Sequence, residues 1–385
     1  MRRIYLDYNA TTPLKPEAYE AMLPYLKEQY GNPSSIHWAG QAAKKALMIA
    51  RERVASLFHV DPQEIVFTSG GTEANNLVLK GAFEMLHKKG RHIVTTQVEH
   101  KSILDCCDYL KKHGAEINYA PVHTNGQINL EALKAAIRPD TILISVQAAN
   151  NETGVLMPLK EISEIAHTHN ILFHTDAVQL AGKKALLLDE LPIDFVSVSS
   201  HKIYGPKGAG ALIIRNSLKL EALLHGGNQE RKRRGGTENV SALVGFGAAC
   251  EGISRNIKEE APRLESLRNT LEQGILNAVP HTIINGQDSP RVPNTLNVSF
   301  KGIEAEGLLL NLDLKGIAAS SGSACSSGSL DPSHVLLAMG RSKEEALSSI
   351  RFSLGHATNE KDIDTVLDIL PELVEHLRRL NEACQ

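Results

Sequence analysis

Lys202 lies in the run Ser199-Ser200-His201-Lys202, which leads into Gly205-Pro206-Lys207-Gly208 and follows Asp176-Ala177-Val178-Gln179 on what reads as a neighbouring strand. A lysine at a strand end can condense with an aldehyde, an upstream carboxylate can keep a pyridine nitrogen protonated, and hydroxyl and imidazole groups can hold a phosphate. That set suits pyridoxal 5'-phosphate and points to amino-acid chemistry. Gly70-Gly71-Thr72, at a strand-to-helix turn, can offer backbone N–H groups and a hydroxyl to the same phosphate. Glycine turns before helices are common, and this one matches neither the Walker spacing nor a Gly-x-Gly-x-x-Gly fingerprint, so nucleotide binding has little support. Beside the lysine motif it reads as the phosphate cup.

Other residues carry weaker signals. His100, just past a strand, could stack on a pyridine ring and move protons near neutral pH. With 16 histidines in the chain, His167 and His169 read as ordinary helix-end residues. Asn150-Asn151-Glu152-Thr153-Gly154 is either a plain turn or a ligand-facing loop, and its place at a strand end favours the second. Cys325 sits among small residues in Ser321-Gly322-Ser323-Ala324-Cys325-Ser326-Ser327-Gly328-Ser329, a setting for an accessible thiol rather than a packed one. Cys106-Cys107 falls in a helical stretch where adjacent side chains point about 100° apart, so packing is favoured over a metal or disulfide site. Cys250 also reads as packing, and no metal site is expected. Arg351, alternating with apolar neighbours in Ile350-Arg351-Phe352, could clamp a substrate carboxylate.

The elements that must position these residues follow an α/β rhythm. Strands are expected at 64–68, 92–96, 116–121, 141–146, 171–175, 195–199 and 210–214, with helices between most of them and one at 40–58 capped by Ser34-Ser35. This predicts a mostly parallel, seven-stranded sheet flanked by helices. Past residue 256 the pattern changes to a charged helix at 259–278, a strand at 294–300, a Gly/Ser-rich loop and a final helix at 361–383. The expected division is a large cofactor-binding domain over 15–255 and a smaller α/β domain from 1–14 and 256–385, the latter carrying the cysteine loop.

Composition narrows the partners. The chain has 385 residues, 41 basic and 44 acidic side chains and a formal charge of -3, so no positive field favours nucleic acid or anionic lipid. Arg231-Lys232-Arg233-Arg234 resembles a basic patch only superficially, because Gly235-Gly236-Thr237-Glu238-Asn239 follows as a structured loop. No apolar run approaches the roughly 20 residues of a membrane span, and no leader is expected after Met1. A cytosolic or organelle-lumen setting is expected, with cytoplasmic preferred, and five cysteines argue for free thiols rather than a disulfide framework.

Taken in order, these motifs resemble the cysteine desulfurases, within the fold-type I, class V aminotransferase-like enzymes. The resemblance rests on Tyr5-Leu6-Asp7-Tyr8-Asn9-Ala10-Thr11-Thr12, Gly70-Gly71-Thr72-Glu73-Ala74-Asn75, His100, Asn150-Asn151-Glu152, the Asp176 and Lys202 runs, Arg233-Arg234-Gly235-Gly236-Thr237-Glu238-Asn239, Ser321 to Cys325, and Arg351-Phe352-Ser353. It implies that Lys202 carries the cofactor as a Schiff base, Asp176 pairs with the pyridine nitrogen, Gln179 meets the ring hydroxyl and His100 stacks on the ring. It further implies that Gly71, Thr72, Ser199 and His201 hold the phosphate, with Thr237 reaching over from a second subunit of a homodimer. Asn151 and Arg351 would hold the carboxylate of L-cysteine, and Cys325 would take its sulfur as a persulfide for an acceptor or scaffold protein. The small residues between Cys325 and Leu330-Asp331-Pro332-Ser333-His334 resemble the long-loop group, and the Gly235 to Asn239 form is similar to nitrogen-fixation-type members. The short stretch after the last helix resembles members without an extended docking tail. An aminotransferase or selenocysteine lyase of the same fold would need Lys202 and Asp176 but not Cys325, and a non-catalytic scaffold would need neither.

Overall fold

The computed structural model describes residues 3–215, 218–321 and 331–383. Its centre is a seven-stranded sheet in the order Ile65–Thr68, Gly210–Ile214, Phe195–Ser199, Leu172–Asp176, Thr141–Ser145, His92–Thr96 and Glu116–Ala120. Gly210–Ile214 runs antiparallel to both neighbours and the other pairings are parallel. Six of the seven strands are buried along their whole length or nearly so, as expected when helices cover both faces. Val66, Ile93, Leu143 and Phe195 pack against Gly71–Leu86 and Lys101–Lys112 on one side, whereas Phe67, Val94, Ile144, Phe173 and Val196 face the larger core on the other. Alternation along each strand thus builds two cores from one sheet.

Three of the expected strands match to the residue, three shift by one at one end, and the one expected at 171–175 moves by one at both. The first begins at Ile65 because Pro62–Glu64 forms a short 3-10 turn capped by Asp61, whose carboxylate accepts the Gln63 N–H at 2.7 Å. The strand expected at 171–175 is Leu172–Asp176, since the Ile171 N–H is still tied back to Ala166 past a left-handed Asn170. The helix expected at 40–58 starts at Trp38, and its cap is His37, whose Nδ1 accepts the Gly40 N–H, rather than Ser34-Ser35.

A second region has its own core of Leu264, Leu271, Ile275, Leu296, Val298, Phe300, Leu308, Phe352, Leu370 and neighbours. Here an antiparallel sheet of Ser320–Ser321, Ser349–Ser353, Thr295–Phe300 and Thr282–Ile284 packs under Ala305–Leu314 and Glu360–Ala383. Ile4–Tyr5 pairs in parallel with Ile317–Ala318, which brings the N-terminal segment here. The helix expected at 259–278 is the second half of a 39-residue helix, Val240–Ala278, about 58 Å long at 1.5 Å per residue. Asn239 caps it, and the charged run with Pro262 hides its continuity in the sequence. Its first half feeds Phe246 and Ile253 to the large core and its second half feeds Leu264 to Ile275 to the other, so one rod joins both.

Candidate active site

Five parallel strands end at one edge of the sheet, and each delivers part of a single cleft. Gly71 and Thr72 follow Ile65–Thr68, His100 follows His92–Thr96, Asn151 follows Thr141–Ser145, Asp176 closes Leu172–Asp176, and Ser199 to Lys202 continue Phe195–Ser199. This is where open α/β sheets place ligands. All the sequence-predicted site residues except Cys325 and Thr237 line this cleft of roughly 380 Å³.

Lys202 and Asp176 form its floor. The Lys202 amine donates to the backbone carbonyls of Asn9 at 2.5 Å and Ala10 at 2.7 Å, so it is held by the N-terminal segment. Asp176 is 7% exposed and accepts from the Val178 N–H at 2.9 Å and Asn75 Nδ2 at 2.7 Å, which orient the carboxylate. Asn75 also donates to Ser102 Oγ at 2.8 Å, and Ser102 in turn faces His100 Nδ1 at the same distance. The Ser102 N–H donates to Nδ1 at 3.1 Å, so the His100 ring caps Lys101–Lys112. An amide can only donate, so Nδ1 is an acceptor and the neutral ring carries its proton on Nε2.

Asn9, to which the sequence assigned no role, is the hub beneath the floor. It is 1% exposed; its Nδ2 donates to Asn151 O and Thr295 Oγ1, and its Oδ1 accepts from Lys183 Nζ and Asn294 Nδ2. Its carbonyl also receives Gln179 Nε2 at 3.0 Å. Only its place in the Tyr5 to Thr12 motif could have flagged it.

The end of the cleft expected to take the phosphate is built largely from backbone. Gly70 adopts φ +152°, a value closed to most side chains, and a Cβ on Gly71 would meet Val178 Cγ2 at 2.7 Å. Gly70 offers no side-chain cap to the 16-residue helix Gly71–Leu86, so its first amides face the cleft beside Thr72, Ser199 and His201. Burial, then the nearby Lys202 and Lys207, pull the His201 imidazole down to about 4, which keeps it neutral. Arg234 pairs with Glu73 at 2.9 Å in the first turn of that helix. Buried Glu230 accepts from both terminal nitrogens of the Arg51 guanidinium and from the Phe67 N–H, in a turn where Glu230, Arg231 and Lys232 adopt φ 43, 57 and 65°. These basic residues anchor a loop against Gln63 and Ile65 rather than form a binding patch. The same loop leaves Thr237 exposed, outside the cleft of its own chain.

At the opposite edge Arg351 is 2% exposed, with Nη1 on Asn151 O at 3.0 Å and Nη2 on Asp7 at 2.8 Å. Among the described residues no acceptor meets its buried Nε–H. Behind it Glu152 is buried, and burial pushes its carboxyl up against the opposing pull of Ser333, His334, Arg351 and His100. Ser333 donates to Glu152 and His334 Nε2 meets Glu99 O at 3.0 Å, which ties 333–334 to the back of the site. Cys325 lies outside the described residues. Cys106, Cys107 and Cys250 are buried, and burial raises all three thiols, Cys106 to about 11. Among the described residues no group of side chains could hold a metal ion.

The donor set fits pyridoxal 5'-phosphate: an amine for the aldehyde, a carboxylate for the pyridine nitrogen, and open helix amides with hydroxyls for the phosphate. The cleft lies within the roughly 300–1,000 Å³ usual for cofactor sites. A family model described as aminotransferase class-V matches residues 4–366. A protein of Dictyoglomus turgidum named cysteine desulfurase IscS is 48% identical over 380 residues, covering 99% of this chain and 96% of that one. Cysteine desulfurase 2 of Trichormus variabilis is 49% identical over 381 residues, with 99% and 95% covered. A solved structure titled NifS-like protein superposes with a TM-score of 0.92 at 38% identity, over 98% of this chain and 100% of that one. With its motifs set around one cleft and these likenesses running its whole length, the chain belongs to the pyridoxal phosphate-dependent cysteine desulfurases of the class-V aminotransferase family.

Proposed function

We propose that the protein converts L-cysteine to L-alanine, keeps the sulfur as a persulfide on Cys325, and passes it to an acceptor protein for iron-sulfur cluster or thio-cofactor assembly. The observation that carries the reading is the convergence of Lys202, Asp176 and the open N-terminus at Gly71 and Thr72 on one cleft. Pyridoxal 5'-phosphate supplies the electron sink that lets a proton leave the substrate's α-carbon. Gly71, Thr72, Ser199 and His201 hold its phosphate, Asp176 its pyridine nitrogen, and Gln179 its hydroxyl.

Lys202 Nζ would hold the aldehyde at rest and, once the substrate amine displaces it there, is the free base that takes the α-proton. Asn151 and Arg351 receive the substrate carboxylate, and the unsatisfied Nε–H of Arg351 supports that role. His100, with its ring proton on Nε2, exchanges a proton at the substrate sulfur. The Cys325 thiolate then attacks that sulfur: an S–S bond forms, the C–S electron pair returns to carbon, and protonation there yields alanine. The three buried thiols cannot serve, because burial keeps them protonated.

Three further readings belong to this proposal. The large domain over 15–255 carries the cofactor, and 1–14 with 256–385 form the small domain. The working unit is a homodimer: Thr237 is exposed, and Tyr30, Ile36 and Trp38 are 82, 92 and 79% exposed, so a second copy would cover the apolar surface while bringing Thr237 to its cleft. The setting is cytoplasmic, in keeping with the free thiols of Cys106, Cys107 and Cys250. The test is Cys325→Ala in protein loaded with cofactor. Visible absorbance is expected to persist while alanine formation from cysteine is lost, and undiminished alanine formation would reject the persulfide route.

A further inference from the structure

Beneath the cleft lies a buried lysine that the reaction above does not use. Lys183 is 8% exposed and its amine donates to Asn9 Oδ1 at 2.7 Å and to Gln179 Oε1 at 2.5 Å. Both acceptors are fixed as carbonyl oxygens by their own partners. Asn9 Nδ2 faces Asn151 O and Thr295 Oγ1, and Gln179 Nε2 faces Asn9 O. With Oε1 taken by Lys183, the amide group of Gln179 has one orientation, in which Nε2 spends one N–H on Asn9 and keeps a second for the cleft that Gln179 lines. The carbonyl that receives this Nε2 also receives the Lys202 amine.

We propose that Lys183 is a positioning residue: it locks the Gln179 carboxamide as a hydrogen-bond donor toward the cofactor hydroxyl and couples that orientation, through Asn9, to the seat of the Lys202 amine. The inference rests on the reading of Gln179 given above. Burial, then the charges of Lys202 and Arg351, lower the Lys183 amine well below the ordinary lysine range, and its two N–H donations fall on two carbonyl acceptors. Without it Oε1 loses its buried donor and only the Nε2–Asn9 O bond holds the carboxamide, so the population with its oxygen turned to the hydroxyl rises.

The test is the pH midpoint of the visible-absorbance transition in three cofactor-loaded variants, Gln179→Ala, Lys183→Met and the double change. A donor to the ring oxygen stabilises the deprotonated chromophore most, so its loss raises the midpoint, by about one unit for a charge-assisted bond. Gln179→Ala is expected to shift it so, Lys183→Met to shift it comparably, and the double variant no further than Gln179→Ala alone. Asp176, His100, His201, Lys202 and Arg351, the titratable and charged groups facing the cleft, stay unchanged throughout. If Gln179→Ala leaves the midpoint in place, the reading of Gln179 falls and the inference with it. If Gln179→Ala moves it while Lys183→Met does not, or if the two shifts add in full, Lys183 is merely structural and the inference alone is overturned. Should Lys183→Met not fold, Lys183→Gln replaces it: with a donor of shorter reach it is expected to give a smaller rise, and an unmoved midpoint again overturns the inference.

Discussion

The two ends of the cleft are made in opposite ways. The proposed phosphate end draws on residues that follow directly from strands of one sheet, with backbone amides at Gly71 and Thr72 and the side chains of Ser199 and His201. The floor and substrate edge are instead assembled by Asn9, whose partners Asn151, Lys183, Asn294, Thr295 and Ser353 come from across the chain. A local motif can be replaced piecemeal, whereas a hub of buried polar groups stands or fails together. The phosphate end should therefore lose cofactor affinity when cut, and the hub should lose stability.

The largest effect is expected at the hub. Asn9→Ala removes four side-chain hydrogen bonds and leaves Lys183 and Asn294 short of an acceptor, a loss of about 3–4 kcal/mol in denaturant-derived stability. A loss below about 1 kcal/mol would break the contrast. The sheet beneath the phosphate end has a pH dependence of its own. His174 is fully buried between Ser145 and Ser197, and burial lowers it from 6.5 to about 3. The unfolded imidazole gains a proton near pH 6.5 while the folded one resists it, so stability is full above 6.5 and falls as pH drops toward 3. By pH 4 the loss is on the order of 3 kcal/mol from this group, and a His174→Gln variant should show a flatter profile in the same urea titrations. Smallest is Thr72→Ala: removing one hydroxyl should weaken cofactor binding about tenfold by equilibrium dialysis and leave the melting temperature of the apo protein unchanged.

The same contrast decides what the sequence could show. Gly70-Gly71-Thr72, Asp176 and Lys202 were legible because strand ends in a parallel sheet converge by rule, so local motifs imply a shared cleft. The strands 92–96, 195–199 and 210–214 were legible for the same reason of pattern. Asn9 was not, since nothing in Tyr8-Asn9-Ala10 reveals partners near 294 and 353. Lys183 was hidden too, although a lysine four residues after Gln179 in the run Leu180-Ala181-Gly182 was a signal: so apolar a setting favours burial. The long helix was read short because its charged middle, exposed at Ser254, Arg255, Asn256, Lys258 and Glu259, marks the crossing between two cores. Arg351 was expected as a clamp, and the structure adds its brace, Asp7, which only tertiary folding brings within 2.8 Å.

The most direct test is peptide mass spectrometry after a single turnover of cofactor-loaded protein with L-cysteine, without acceptor. The account predicts alanine in equal amount to sulfur gained, with the added sulfur atom on the peptide containing Cys325. Alanine release with that peptide unmodified, or sulfur on Cys106, Cys107 or Cys250 instead, would contradict it.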